Sequence, residues 1–217
     1  MTSFPGAPRL LRGGIVLIDP DSGALKRVIV LQYNPDTLTR SLQPQTVTED
    51  GHDRSQALRL KGPPIETIKF DAEIDATEQL ETPDDLAAQL GIAPQLASLE
   101  TLLYPTSGQL IANNSLQGGG TLEILPLQQP LSLFVWSKQR VVPVRINDFS
   151  ITEEAFDPQL NPIRAKVSIS MRVLSIDDLG FSSKGGSLYM IYQQNKERLA
   201  QAATGGSLPA LGLTGIP

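Results

Sequence analysis

The clearest strand pattern in the chain lies between residues 68 and 75, where apolar and charged residues alternate. The even positions are apolar and the odd positions are charged, and three of those odd positions are Asp71, Glu73 and Asp75. A period of two places one face of a strand against a core and the other face in water. The pattern therefore predicts a half-buried β-strand whose acidic residues line its wet face.

Further strand-type runs lie towards both ends of the chain. Residues 14–18 and 27–33 flank a turn rich in Asp, Pro and Gly, which predicts a hairpin. Residues 131–137, 141–151 and 165–174 follow one another with short polar connections, which predicts an antiparallel meander. The chain is therefore expected to be mainly β.

Helical periodicity is confined to two stretches. Leucines recur at helical spacing near residues 83–104, after the start signal Thr82-Pro83, and a second apolar stripe covers residues 188–202. The Gly- and Asn-rich residues 106–120 are expected to form a flexible loop.

Together these elements predict one β-rich domain of the α+β class with short flanking helices. We place the domain at residues 14–202. It is preceded by a flexible lead-in at residues 1–13 and followed by a Gly/Pro-rich tail at residues 203–217, because Gly and Pro punctuate both segments.

Composition narrows the classes of function. The chain has 217 residues, 40% of them hydrophobic and 19% charged, which is enough apolar material for a sizeable core. Its net charge of -5 argues against an electrostatic grip on nucleic acid or on an anionic membrane. The absence of cysteine excludes disulfides and thiolate chemistry. No apolar run approaches about 20 residues and the start lacks a signal-peptide layout, so we expect a cytoplasmic protein that leaves the cell only within an assembly.

Catalytic equipment is sparse in this sequence. His52, the one histidine, lies in a polar stretch that is typical of a solvated loop. Asp71, Glu73 and Asp75 offer paired carboxylates for a hydrolase, but alternate acids on a half-exposed strand are more typical of its wet face. We therefore predict that the chain is not an enzyme and that it carries no metal and no cofactor.

Trp136 leaves a different class of function open. It follows Phe134 in a predicted strand, and aromatic side chains of this kind can stack on sugars. A carbohydrate- or cell-wall-binding β module is therefore the alternative function. Aromatic residues make up only 5% of the chain, and burial in the core is the more usual fate of a single Trp in a strand.

Two segments carry a resemblance to a known family. Leu31-Gln32-Tyr33-Asn34-Pro35-Asp36-Thr37-Leu38-Thr39-Arg40 follows the first hairpin, and Tyr192-Gln193-Gln194-Asn195-Lys196-Glu197-Arg198-Leu199-Ala200 lies late in the chain. Both segments, and the first in particular, resemble the contractile injection system tube protein family of phage-tail-like particles, over roughly residues 14–202.

The resemblance implies a fold and a role in assembly. The implied fold is a tail-tube-like antiparallel β-barrel with short flanking helices. The implied function is a structural ring, most often six-fold, at the junction of inner tube and baseplate, with the chain itself, the inner tube, the spike and the baseplate proteins as partners. Many family members carry a LysM module, whereas this chain has only a short Gly/Pro-rich tail after Ala202. Nucleic-acid binding and direct membrane insertion are not expected.

The resemblance also assigns roles to particular residues. Tyr33 is expected to be a core or interface plug, Asn34 a local hydrogen-bonding turn residue and Pro35 the bend itself, with Leu38 in the extended piece that follows. For a cyclic ring, the candidate interface pairs acids with bases on neighbouring subunits. These candidates are Asp71, Glu73 and Asp75 on one side and Arg140, Arg145, Arg164 and Lys166 on the other.

Overall fold

A computed structural model describes residues 10–46, 59–77, 85–118, 129–203 and 205–216. Its strands are β1 Gly14–Ile18, β2 Leu25–Val30, β3 Leu38–Gln43, β4 Ile65–Asp75, β5 Leu131–Ser137, β6 Arg140–Phe156 and β7 Pro162–Val173. Its helices are α1 Asp85–Leu90, α2 Ala93–Glu100, α3 Ser107–Gly118, α4 Ile176–Leu179 and α5 Lys184–Ala202, with a short 3₁₀ turn at Leu208–Leu211.

All seven strands belong to one antiparallel sheet in the order β2-β1-β5-β6-β7-β4-β3. The predicted hairpin is β1–β2, and the predicted meander is β5–β6–β7, so both are confirmed. Among the described residues, β2 and β3 each have one neighbouring strand only. The mainly β, antiparallel fold is therefore confirmed, but the sheet is not closed into the expected barrel.

The core lies on the face that the alternation of β4 predicts. Ile68, Phe70, Ala72 and Ile74 are buried there, against the inward residues of β7. Those β7 residues are Ala165, Val167, Ile169, Met171 and Val173. Glu66, two residues before Ile68, occupies the same inward face and is only 3% exposed. A carboxylate is therefore buried in the same row as the apolar core residues.

The predicted helical region near residues 83–104 contains two short helices. Gly91 separates α1 from α2 with a φ of +56°, a backbone conformation that favours glycine. A Cβ at Gly91 would also lie 2.1 Å from the carbonyl oxygen of Pro162, so the chain there admits no side chain. Helix α2 then covers the core with Leu96 and Leu99. The predicted start signal Thr82-Pro83 lies outside the described residues.

The expectation of a loop at residues 106–120 is wrong, because Ser107–Gly118 is helix α3. Thr106 and Gln109 cap its start reciprocally. The Gln109 N–H donates to Thr106 Oγ1 at 3.3 Å, and the Thr106 N–H donates to Gln109 Oε1 at 3.0 Å. This Thr-x-x-Gln capping box satisfies two of the otherwise unpaired N–H groups of the first turn, which favours a helix in spite of the Gly and Asn content.

The last helix begins four residues before its predicted start. Ser183 accepts a hydrogen bond from the N–H of Gly186 at 2.9 Å and so caps α5 at Lys184. A Cβ at Gly186 would lie 2.1 Å from the carbonyl oxygen of Gly180, so the first turn of α5 packs directly on backbone. The predicted apolar stripe begins only at Leu188, which is why periodicity alone placed the start too late.

Candidate assembly surface

The Asn-Pro bend begins with a side chain that links two strands which do not pair. Gln32 Nε2 donates to the carbonyl oxygen of Asp75 at 2.6 Å, and Gln32 Oε1 accepts from the Asp75 N–H at 3.0 Å. The side-chain amide of Gln32 thus supplies the donor and the acceptor that a neighbouring strand would supply. The sheet is therefore curled enough for the end of β2 to reach the end of β4, although β2 and β4 are not neighbours in the sheet.

Asn34 acts over a longer range than a turn residue. Its Oδ1 accepts from the N–H of Gly13 at 2.9 Å, and its Nδ2 donates to the carbonyl oxygen of Leu11 at 2.8 Å. The expectation of a local turn role is therefore wrong, because the partners precede Asn34 by more than 20 residues. These bonds extend the β1–β2 pairing beyond Gly14 and hold the chain that enters β1.

The other residues of the bend lie at the surface. Tyr33 is 39% exposed, so it is not a core residue, and its role at an interface stays a prediction. Pro35 has a trans peptide bond, and Leu38 is half-buried at the start of β3. Residues 33–37 line a groove of about 530 Å³ together with Asp71, Glu73 and Lys166. The structure therefore brings the motif and part of the predicted interface together.

The acidic and basic rows of β4 and β7 meet within one chain. Lys166 Nζ lies 3.2 Å from Asp71 Oδ2, and Arg164 Nε lies 2.8 Å from Asp75 Oδ2. The Ser168 hydroxyl and Lys166 lower the pKa of Asp71, while Thr77 and Arg164 lower the pKa of Asp75. These exposed pairs are cross-strand neighbours, and each is worth little to stability because water and salt screen it.

Three of the predicted interface residues have no such partner. Glu73, Arg140 and Arg145 make no ion pair within the described part of the chain. Glu73 and Arg145 are exposed, whereas Arg140 is half-buried at the start of β6. The contact of these residues with a neighbouring subunit stays a prediction.

Sequence reasoning missed a polar network that joins two strands and a helix around one buried carboxylate. We call it the Glu66 network, and it comprises Glu66, Arg40, Tyr192 and Lys196. Arg40 Nε and the Tyr192 hydroxyl donate to Glu66 Oε1 at 2.8 and 2.9 Å, and Lys196 Nζ donates to Glu66 Oε2 at 2.9 Å. Arg40 Nη2 also donates to the Tyr192 oxygen at 3.1 Å. Strands β3 and β4 and helix α5 are joined through this one carboxylate.

The Glu66 network explains the ionisation of its members. Burial opposes the charge on Glu66, but hydrogen bonds from Lys196, Tyr192 and Arg40 outweigh it, so the pKa of Glu66 is lowered. Burial and the Glu66 carboxylate raise the pKa of Tyr192 well above its ordinary value. Lys196 Nζ also lies 4.0 Å from the centre of the Tyr192 ring, in a cation–π contact. Glu66 is thus held as a carboxylate with each oxygen hydrogen-bonded.

A small pocket opens beside the Glu66 network, and we call it the basic pocket. It has a volume of about 180 Å³ and lies between α5 and the β5–β6 turn. Its walls are formed by Arg40, Ser137, Gln139, Arg140, Tyr192, Asn195, Lys196 and Leu199. Three cationic side chains therefore line this space, and its described lining includes no carboxylate.

Within the described ranges, β2 and the second half of β6 each have a strand neighbour on one side only. Strand β2 pairs only with β1 among the described residues, and it exposes Val28 (52%) and Val30 (56%). An apolar groove of about 330 Å³ separates this edge from β4 and α2. Strand β6 pairs with β5 only as far as Val144, so residues 145–156 have β7 as their one described strand neighbour.

The remaining expectations concern chemistry. Among the residues that the structure describes, no group of three or more His, Asp or Glu side chains could hold a metal ion. His52 lies outside those residues. In the same described ranges, no helix is both long and apolar enough to cross a membrane.

The Trp136 side chain packs against neighbouring residues of the fold. Its ring is half-buried, stacks on Phe134 with ring centres 5.9 Å apart, and fills the space where Gly13 lacks a Cβ. A Cβ at Gly13 would lie 2.7 Å from the indole ring. The ring therefore does not form the open stacking face that a sugar-binding module needs, and the structure gives the alternative function no support.

Comparisons with known proteins give weak matches only. No protein-family model matches the sequence, and no curated protein is significantly similar to it. The chain is similar to a chain from the tail of an empty GTA particle with C6 symmetry, with 10% identity and a TM-score of 0.29 over 75% of this chain and 90% of that chain. It is also similar to a chain from the virion of a native gene transfer agent (GTA) particle, with 10% identity and a TM-score of 0.27 over 73% and 90%. Such TM-scores do not establish a common fold, so the family resemblance of Leu31–Arg40 stays a prediction.

Proposed function

We propose that this chain is a structural subunit of a phage-tail-like contractile injection particle and that it acts by assembly, without a catalytic step or a cofactor. In this role it forms a cyclic ring, six-fold in the implied arrangement, between inner tube and baseplate. The sequence motif at Leu31–Arg40 supports the class of particle. The observation that carries the assembly role is the exposed edge of β2, with Val28 and Val30 uncovered beside an apolar groove.

An open strand edge favours association for a physical reason. Backbone N–H and C=O groups that have no strand partner among the described residues, along β2 and residues 145–156 of β6, form a ready template for another strand. Neither edge carries a Pro, although β2 carries Lys26 and Arg27, and charged residues also protect the edges of natural sheets. In the proposed ring, strand pairing between copies covers these edges and completes the tube-like barrel that the single chain leaves open.

Charge would set the register of the ring more than its strength. Asp71 and Asp75 already have partners in their own chain, so the unpaired Glu73 and Arg145 are the better candidates for a contact between subunits. Such rim charges steer association and suppress wrong alignments, whereas burial of the apolar edge must outweigh the cost of immobilising each subunit.

The edge can be tested on the purified chain. Val28→Lys combined with Val30→Lys places two charges on the β2 edge, which is how natural sheets block edge pairing. Leu211→Lys combined with Leu213→Lys is the matched control, because both leucines are exposed and lie in the 3₁₀ turn region far from β2 in sequence. Light scattering and electron microscopy of the wild-type chain and the control should show rings, whereas the edge variant should remain a folded monomer.

Two results would contradict the proposed function. One is a wild-type chain that stays monomeric at every concentration and is also missing from particles assembled with its neighbouring tail proteins. The other is an edge variant that forms the same rings as the wild type. Arg145→Glu adds a test of register, since it should give folded subunits that enter complete particles poorly.

A further inference from the structure

The basic pocket has an excess of positive charge. Arg40, Arg140 and Lys196 line it, and two of these, Arg40 and Lys196, donate to Glu66, which is not part of the described lining. Arg40 uses Nε and Nη2 in the Glu66 network, and Lys196 uses one of its three protons there. Arg140 makes no ion pair with the described residues. Several charged donors therefore remain free to bind one more anionic group.

The size of the basic pocket limits what can enter it. A volume of about 180 Å³ accommodates the end of one side chain but not a strand or a helix. Arg40 and Lys196 side chains are 28% and 30% exposed, so their free donors can be reached from outside. Arginine side chains bind carboxylates through pairs of parallel N–H donors, which suits a single acidic side chain.

A matching acidic group lies at the opposite end of the same strand. Glu153 and Glu154 are exposed near the tip of the β6–β7 hairpin and make no ion pair with the described residues, and we call them the acidic tip. Arg140 begins β6, so about 40 Å of strand separates it from the acidic tip at about 3.3 Å per residue. One chain cannot bring the two groups together, but two copies placed end to end can.

We propose that the basic pocket receives a carboxylate of the acidic tip, Glu153 or Glu154, from a second copy of this chain. This inference rests on the proposed assembly function and specifies one contact within it. The contact is heterologous, because the donor and the acceptor lie on different parts of each copy. It therefore repeats from copy to copy in one direction, and it closes into a ring where the rotation between copies allows it.

Charge reversal at both ends of the contact tests the proposal. Arg140→Glu places a carboxylate in the pocket wall and should weaken self-association by about tenfold or more, since like charges then meet. Lys138→Glu is the matched control, because it changes the net charge equally in the same turn but does not line the pocket. The control should change the association constant by less than about twofold. Sedimentation velocity at low salt measures both.

The acidic tip provides an independent arm that cannot disturb the pocket. Glu153→Lys combined with Glu154→Lys should weaken self-association as Arg140→Glu does, and the chain carrying all three changes should recover it. Carbodiimide cross-linking of mixed ¹⁴N- and ¹⁵N-labelled wild-type chains should join Lys196 to Glu153 or Glu154 of the other label. These residues are surface-exposed at the tip, so circular dichroism should show an unchanged fold.

Three outcomes would overturn the proposal. If the Arg140→Glu and Lys138→Glu variants both self-associate as strongly as the wild type, the proposed contact is wrong but the proposed function still stands. Inorganic phosphate that binds at the pocket without competing with self-association shows that it is a site for a free anion. A wild-type chain that does not self-associate contradicts this contact, and its absence from assembled particles as well would contradict the proposed function.

Discussion

Strand β4 carries two kinds of carboxylate, and their fates differ with the parity of their position. Glu66 faces the core, is nearly fully buried and accepts hydrogen bonds from three side chains. Asp71 and Asp75 face water and each pairs with one base on β7. Side chains alternate between the two faces of a strand. The odd or even position of an acid on β4 therefore decides whether it lies in the core or at the surface.

The cost of removing a partner differs correspondingly. Taking an ionised group out of water is expensive, so a buried carboxylate needs every one of its donors, and its donors need it. An exposed pair exchanges water for a partner at nearly equal free energy. The Glu66 network should therefore govern stability, whereas the pairs on the wet face should contribute little to it.

Removal of the buried carboxylate should have the largest effect. Glu66→Ala leaves Arg40 and Lys196 close together without their shared counter-ion and the Tyr192 hydroxyl without its acceptor. We expect the free energy of unfolding to fall by about 2–4 kcal/mol. This is towards the lower end of the cost of breaking a buried ion pair, because Arg40 and Lys196 are partly exposed. Urea unfolding at neutral pH measures it. Glu73→Ala on the same strand is the control and should lie within about 0.5 kcal/mol of the wild type. If Glu66→Ala and Glu73→Ala lowered the free energy of unfolding equally, the two faces of β4 would not differ in their contribution to stability.

Loss of the two hydrogen bonds between Gln32 and the Asp75 backbone should have the second largest effect on stability. Gln32→Ala leaves the N–H and C=O of Asp75 without the side chain that now satisfies them, which should cost about 1–2 kcal/mol. Amide hydrogen exchange at Asp75 should also become faster. Gln193→Ala, on the exposed side of α5, is the control and should change neither quantity. Unaltered exchange at Asp75 would show that the end of β4 does not depend on Gln32.

Acid should destabilise the protein at the buried face by protonating Glu66. The pKa of Glu66 is lowered in the folded chain from its ordinary value of 4.5, so the unfolded chain binds its proton more readily. The stability that this group contributes is therefore present above pH 4.5 and is lost as the pH falls through the lowered pKa. The unfolding free energy of the wild type should fall more steeply below pH 4.5 than that of Glu66→Gln. Parallel pH profiles would contradict a special role for Glu66.

The smallest effect is expected on the wet face. Asp71→Asn removes the charge that pairs with Lys166 and keeps the size of the side chain, so the urea midpoint should not change measurably. Added sodium chloride should affect the wild type and this variant alike, because an exposed pair is already screened. A clear destabilisation that vanishes in high salt would show that Asp71, like Glu66, contributes to the stability of the fold.

The sequence predicts strands whose signal is local. The β1–β2 hairpin and the β5–β7 meander follow from period-two runs and turn residues that lie close together in the chain. Helix α3 also has a local signal in Thr106 and Gln109, which the Gly and Asn content of the segment obscured. Curling of the sheet has no such signal, because the contact that reveals it joins Gln32 to a backbone 43 residues away.

The candidate functional residues also differ in how far the sequence predicts them. The alternation of β4 locates the acidic row directly, and its continuation to Glu66 places a charged residue on the apolar face, which is a readable sign of a buried polar contact. The identity of its partners is not readable, since Tyr192 and Lys196 follow 126 and 130 residues later on a helix. Periodicity orients a side chain on its own element, but packing between elements selects its partner.

The distance along the chain between Glu66 and its donors has a consequence for synthesis on the ribosome. Strands β3 and β4 emerge early, and Lys196 follows 130 residues after Glu66, which is on the order of 10 s at about 5–20 residues per second. During that interval the carboxylate lacks two of its three donors, and its desolvation opposes closure of the core around it. The core around Glu66 should therefore close only after helix α5 has been made.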